Sequence, residues 1–218
     1  MKKQSLCYAC DSVATTREHV PARSLFPREK RTNLWTVPSC AKHNLDASLD
    51  VEYVRNVLSY QYGTNSVAED VLETTKRSFD RSNKLFAATV TDFSMTVVDG
   101  IETGQHRLDL KRLHAVMAGT ARALALRDFG RKYIGSWRVV CANLKSEKPQ
   151  QKWEDLLAVL RNGTYIPVVT PHPDVFSYGV HISDMGLPIY RMAFYSGFEV
   201  YAWPAAGADA ESEESADY

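Results

Sequence analysis

Near its start the chain places two pairs of metal-type side chains, Cys7-x2-Cys10 and Cys40-x2-His43. Ligands two residues apart let one tight turn present both to a single ion, and two such turns fill the four positions of a tetrahedral structural zinc site. Three of the four cysteines of the chain are used in this way. The alternative is buried cysteines in a small core beside a surface histidine. Cys141, the fourth, lies in an apolar stretch and reads as a core residue.

The chain around these pairs sets what kind of protein carries them. Its 218 residues, 44% of them hydrophobic, suffice for one substantial core and a small satellite. No apolar run approaches the roughly 18 residues a membrane span needs, and the N-terminal MKKQSLCYAC has no apolar signal core. A cytoplasmic protein is expected, in which cysteines serve as thiols or metal ligands and not as disulfides. The zero net charge is uneven: residues 1–60 hold nine Lys/Arg against six Asp/Glu, while the last eleven, ADAESEESADY, hold five acids and no base. A modestly basic body suits a polyanionic partner or is ordinary surface charge. The acidic end is expected to be disordered.

Between the knuckles runs TREHVPARSLFPREKRTNLWTVPSC, where prolines exclude a long helix and LWTVPSC reads as a short strand. Residues 42–60 read as helix, with Val51, Val54 and Leu58 at helical spacing. Apolar stripes predict three more helices, over 67–79, 110–124 and 153–160. Alternation predicts strands at 93–98, 137–144, 175–182 and 190–203, the last broken by a turn or bulge at Ser196-Gly197. Its aromatic side chains, Tyr190 to Trp203, read as core or dimer interface in preference to a base-stacking platform. The fold class is α+β.

Glu18-His19 is the pair a purely structural zinc module does not need. A carboxylate can hold a divalent cation while the neighbouring imidazole takes a proton from water near neutral pH. Taken alone, the pair could be an ordinary surface acid and histidine. Asn44, directly after the second knuckle, offers an amide oxygen as a ligand or a helix cap. Arg23, Arg28, Lys30 and Arg31 form a basic loop that meets phosphates or simply faces solvent.

Two zinc knuckles enclosing an acid–His–hydrophobic–Pro segment, with Asn after the second, resemble the HNH endonucleases of the ββα-metal class, including zinc-containing members of bacterial anti-phage defence loci. The likeness covers about residues 7–55. It implies a zinc-stabilised HNH module at 1–60, to which the patterns above add a mixed α+β domain at 61–207, expected to serve regulation, dimerisation or partner binding, and the acidic tail at 208–218. It further implies DNA as substrate, His19 as general base, and Glu18 and Asn44 as ligands of a catalytic Mg²⁺ or Mn²⁺. Glu52 and Asp50 are candidates for a third ligand, Glu52 because it would share a helix face with Asn44 and Ser48. Two departures stand out: His43 replaces the usual fourth zinc cysteine, and Asn33 lies eleven residues before Asn44 where nine is common. A non-cutting subunit that binds nucleic acid or a partner protein is the alternative, and a purely structural zinc module ahead of an unrelated domain is a third.

Overall fold

A computed structural model describes residues 4–44, 48–61, 63–98, 100–144 and 151–205. The expected acidic tail lies outside the described residues, as do residues 45–47 after Asn44.

The architecture is mixed α and β. Strands β1 (Thr16–His19) and β2 (Thr36–Ser39) form an antiparallel hairpin, with Glu18 opposite Val37 and His19 opposite Thr36. Helix α1 (Leu49–Ser59) follows, then α2 (Ser66–Arg81) and α3 (Asn83–Thr89). A second hairpin, β3 (Thr91–Val98) with β4 (Ile101–Arg107), precedes the long helix α4 (Leu110–Phe129). The remainder is a five-stranded antiparallel sheet, ordered β5 (Trp137–Cys141), β9 (Phe198–Pro204), β8 (Pro188–Phe194), β7 (Phe176–Ile182) and β6 (Ile166–Val168), with α5 (Gln151–Asn162) inserted after β5.

Local chemistry sets the helix ends. Ser48, Asn65, Ser82 and Asp109 each accept a backbone N–H of the first turn of α1, α2, α3 and α4 with their side-chain oxygen, satisfying donors that the helix itself leaves unpaired. α4 stops at Gly130, whose φ of 63° is the left-handed cap glycine allows.

The sheet is covered on both faces because its central strands alternate between two clusters. Val139, Val200, Ala202, Tyr190, Met192 and Phe194 join the main core with Leu113, Met117, Ala121 and Leu124 of α4. Val140 and Tyr201 face the other way and meet Leu157 and Leu160 of α5. The main core also takes in Cys7, Tyr8, Val20, Leu25, Phe26, Val51, Val54 and Leu58. It therefore runs without interruption across the boundary expected near residue 60. The aromatic run of the last two strands is core: Tyr190, Phe194, Tyr195, Phe198 and Tyr201 are all buried.

The helix expected over 42–60 is shorter. Ala41–His43 form a 3-10 turn, Asn44 is extended (φ −78°, ψ 99°), and the helix begins only at Leu49. Facing Cys40 and His43 toward one point needs a tight turn, and Ser48 then restarts the chain as a helix. Asn44 accordingly shares no helix face with Ser48 and Glu52.

Candidate metal centre

Both knuckles are built by short backbone loops. In the first, the Cys7 N–H donates to the Ser12 carbonyl at 2.9 Å and the Ala9 N–H to Cys7 Sγ at 3.4 Å. In the second, the His43 N–H donates to the Cys40 carbonyl at 3.1 Å. The β1–β2 hairpin brings them together, and the Tyr8 N–H closes the gap by donating to the Pro38 carbonyl at 2.9 Å.

One ligand atom from each of Cys7, Cys10, Cys40 and His43 lies within 4.8 Å of all the others. Cys10 Sγ to Cys40 Sγ is 3.9 Å, Cys40 Sγ to His43 Nδ1 is 3.3 Å, and Cys7 Sγ to His43 Nδ1 is 3.8 Å. A tetrahedral zinc ion with its usual bond lengths requires S···S edges of about 3.8 Å and S···N edges of about 3.6 Å. The donor set and its spacing fit a metal ion such as zinc. Among the described residues this is the one group of three or more His, Cys, Asp or Glu side chains placed to hold a metal.

Two thiols are tuned in opposite directions before any metal binds. Hydrogen bonds from Ser12 lower Cys10 to about 6, whereas burial pushes the Cys7 thiol up. Three thiolates, one imidazole and a divalent ion would leave one net negative charge. Two cations, one on α4 and one in the loop after it, stand beside it. Lys132 donates to the Cys10 carbonyl at 3.0 Å and pairs with Asp11 at 2.7 Å. The Arg122 guanidinium, bonded to the Tyr133 and Gly135 carbonyls, lies near Tyr8 and Cys7.

Glu18 and His19 are neighbours on β1 and point to opposite sides. Glu18 is completely buried and His19 partly exposed. Burial, then the charge of Glu18, raises the Tyr8 phenol. The same phenol donates to the His43 carbonyl at 3.1 Å, so Glu18 and the peptide leading into Asn44 both neighbour Tyr8. Asn44 Oδ1 is buried and accepts no hydrogen bond among the described residues. Its role as the helix cap is taken by Ser48.

The other candidates are placed elsewhere. Asp50 accepts from Arg112 Nε at 2.7 Å, and Glu52 lies 3.6 Å from Arg55. Neither gathers with Glu18 and His19 into a second metal-type group. Asn33 sits in the loop before β2 with φ at 57°. In the basic loop, Arg23 and Arg28 are exposed, Lys30 pairs with Asp174 at 2.7 Å, and Arg31 donates to the Phe26 carbonyl at 2.9 Å. Burial lowers Arg31, and the charges of Arg23, Arg28 and Arg55 add to the effect. Arg55 therefore joins this cluster from α1. Sequence reasoning missed it, along with Tyr8, Arg122 and Lys132, because none is marked by spacing and only the fold brings them to these places.

No helix among the described residues is long and apolar enough to cross a membrane. No protein-family model, curated protein or solved structure matches this chain.

Proposed function

We propose that this chain is a metal-dependent endonuclease that hydrolyses DNA phosphodiester bonds, with a structural zinc ion held by Cys7, Cys10, Cys40 and His43. The observation that carries the reading is the Glu18-His19 pair on a strand between the two knuckles, with the buried amide oxygen of Asn44 placed just after the second. In this scheme His19 removes a proton from water, the oxygen attacks phosphorus, the bond from phosphorus to the leaving oxygen breaks, and that oxygen takes up a proton. Glu18 and Asn44 would hold a Mg²⁺ or Mn²⁺ ion, which supplies charge stabilisation at the phosphate and the leaving oxygen. Exposed Arg23 and Arg28, with Arg31 and Arg55 behind them, give the DNA backbone a positive face.

A second reading, a non-cutting subunit that binds nucleic acid or a partner protein, draws on the engagement of Asp50 by Arg112 and of Glu52 by Arg55. Plasmid nicking by the full chain with Mg²⁺ or Mn²⁺ separates the two. Cleavage should fall by about 10²- to 10⁴-fold in His19→Ala, the range general-base catalysis supplies, with zinc content unchanged. Equal cleavage by wild type and His19→Ala would remove His19 as base. No cleavage by wild type would favour the binding subunit.

A further inference from the structure

The last strand of the sheet ends beside an open groove. The groove has a volume of about 410 Å³, within the range of small-ligand sites. Phe129 from the end of α4, Arg131 and Tyr133 from the loop after it, and Ile182, Gly186 and Pro188 from the β7–β8 connection line it. The Tyr133 wall is fixed. Its carbonyl accepts from Trp137 Nε1 at 3.2 Å and from Arg122 Nε at 3.1 Å, and its ring meets the Trp137 ring edge-on at 6.1 Å. Phe129 and Ile182 are 40% and 47% exposed. Arg131 is exposed, and no acid pairs with it among the described residues. Strand register puts the groove and the end of β9 at the same end of the sheet: Ile182 pairs with Pro188, Tyr190 with Ala202, and Trp137 with Pro204. The Ala205 N–H then donates to the Ser136 carbonyl at 2.9 Å.

We propose that this groove is the docking site of the chain's own acidic tail, with the Tyr218 ring against Phe129 and Tyr133 and the Asp217 carboxylate on Arg131. Three observations select this occupant. The first is reach. Residues 206–218 leave the body at Ala205, and Tyr133 is at most about 11 Å of chain from Ser136. Thirteen small and polar residues span on the order of 20 Å on average and about 45 Å at most. Tethering sets the local concentration near the millimolar range, so a contact too weak to hold a free peptide fills the groove. The second is the match of side chains. Tyr218 is the one large apolar side chain after Ala205, and an acid directly precedes it. A ring beside a carboxylate is what aromatic walls with a single cation accept. The third is charge. Five of the 26 acids lie within residues 209–217 with no base among them, so the rest of the chain carries an excess of five cations. Asp184, exposed in the turn beside Gly186, repels an acid and leaves the Arg131 side for the carboxylate. A nucleic-acid strand is disfavoured, because Arg131 is the one cation of the lining and a phosphate chain calls for several. The docking stands whether or not His19 cuts DNA.

Backbone amide NMR of the full chain tests this, with variants in the tail that leave the packed body as it is. Tyr218→Ala should shift the amide signals of residues 129–135 and 182–188 and leave those of α5 in place. Tyr218→Phe, which keeps the ring, should match the wild type. In the wild type the order parameter at Tyr218 should exceed that at Ala210, the reverse of the decline toward a free end. In Arg131→Glu it should drop at Tyr218 below the ~0.6 that marks flexible backbone. Tenfold dilution should change none of these readings. Groove amides that ignore Tyr218→Ala, or order that falls steadily from Ala206 to Tyr218 in the wild type, would overturn the proposal. So would unchanged docking in Arg131→Glu. Loss of the groove shifts on dilution would assign the groove to the tail of a second copy and overturn it equally.

Discussion

Tyr195 shows how much one side chain holds in this fold. It follows β8 with φ at 49°, and Ser196 continues at 58°, so two non-glycine residues turn the chain in the left-handed region. The ring is buried, and its hydroxyl donates to the carbonyl of Leu25, in the turn just after the Glu18-His19 strand. Replacing Tyr195 by Phe keeps the ring but leaves a buried carbonyl without its donor. A loss of about 1–3 kcal/mol is expected, read as a fall in Tm of several degrees at this chain length. At this scale the sequence was legible where chemistry is concentrated: the four metal-type ligands are recognisable from spacing alone, and they do converge. It was silent on Tyr195, Tyr8 and Arg122, whose partners lie far away along the chain. A tyrosine in an aromatic run carries no mark of the carbonyl it will reach.

Elements were legible where a periodic face meets the core. The stripes behind α2, α4 and α5 and the alternation in β5, β7, β8 and β9 mark them, and Ser196-Gly197 lies in the turn between the last two. β3 was marked by its alternation although its apolar side chains are exposed, but two strands that carry no such pattern were not. β4, with the polar sequence IETGQHR, is held by its pairing with β3, and three-residue β6 by its pairing with β7. The root of the β3–β4 hairpin carries its own titratable latch. A carbonyl only accepts, so His106 Nδ1 carries the hydrogen toward Arg107 O, 3.1 Å away, and Nε2 accepts from the Tyr60 hydroxyl at 3.0 Å. Burial lowers His106 below its ordinary 6.5. The unfolded or detached form therefore takes up the proton first, and the latch is complete above pH 6.5 and weakens as pH falls through that value. Amide exchange in residues 101–107 should accelerate between about pH 7 and 5 relative to that in α4, and a His106→Phe variant should lose this pH dependence.

For the whole molecule, the main core joins the knuckles to the C-terminal sheet, with Cys7, Cys40 and Tyr8 in the same buried cluster as Met117 and Val200. Stripping the metal with a chelator should lower the temperature of a single cooperative melting transition, since ligand binding energy is folding energy at such a site. Two separate transitions would show that the knuckles melt on their own. Residues 1–60 alone should stay largely unfolded, because Leu25, Val54 and Leu58 would lose α4 and the sheet as cover. A folded, DNA-cutting fragment of that length would contradict this. Such continuity is hard to read from a sequence, where a compact motif at one end suggests an independent unit. It also imposes an order in time. The hydroxyl that fastens Leu25 belongs to a residue 170 positions later, so a growing chain on the ribosome has written the whole Glu18-His19 segment long before it can secure it. The fastening waits for the last strands to emerge, and a message cut short before them would yield the motif without its anchor.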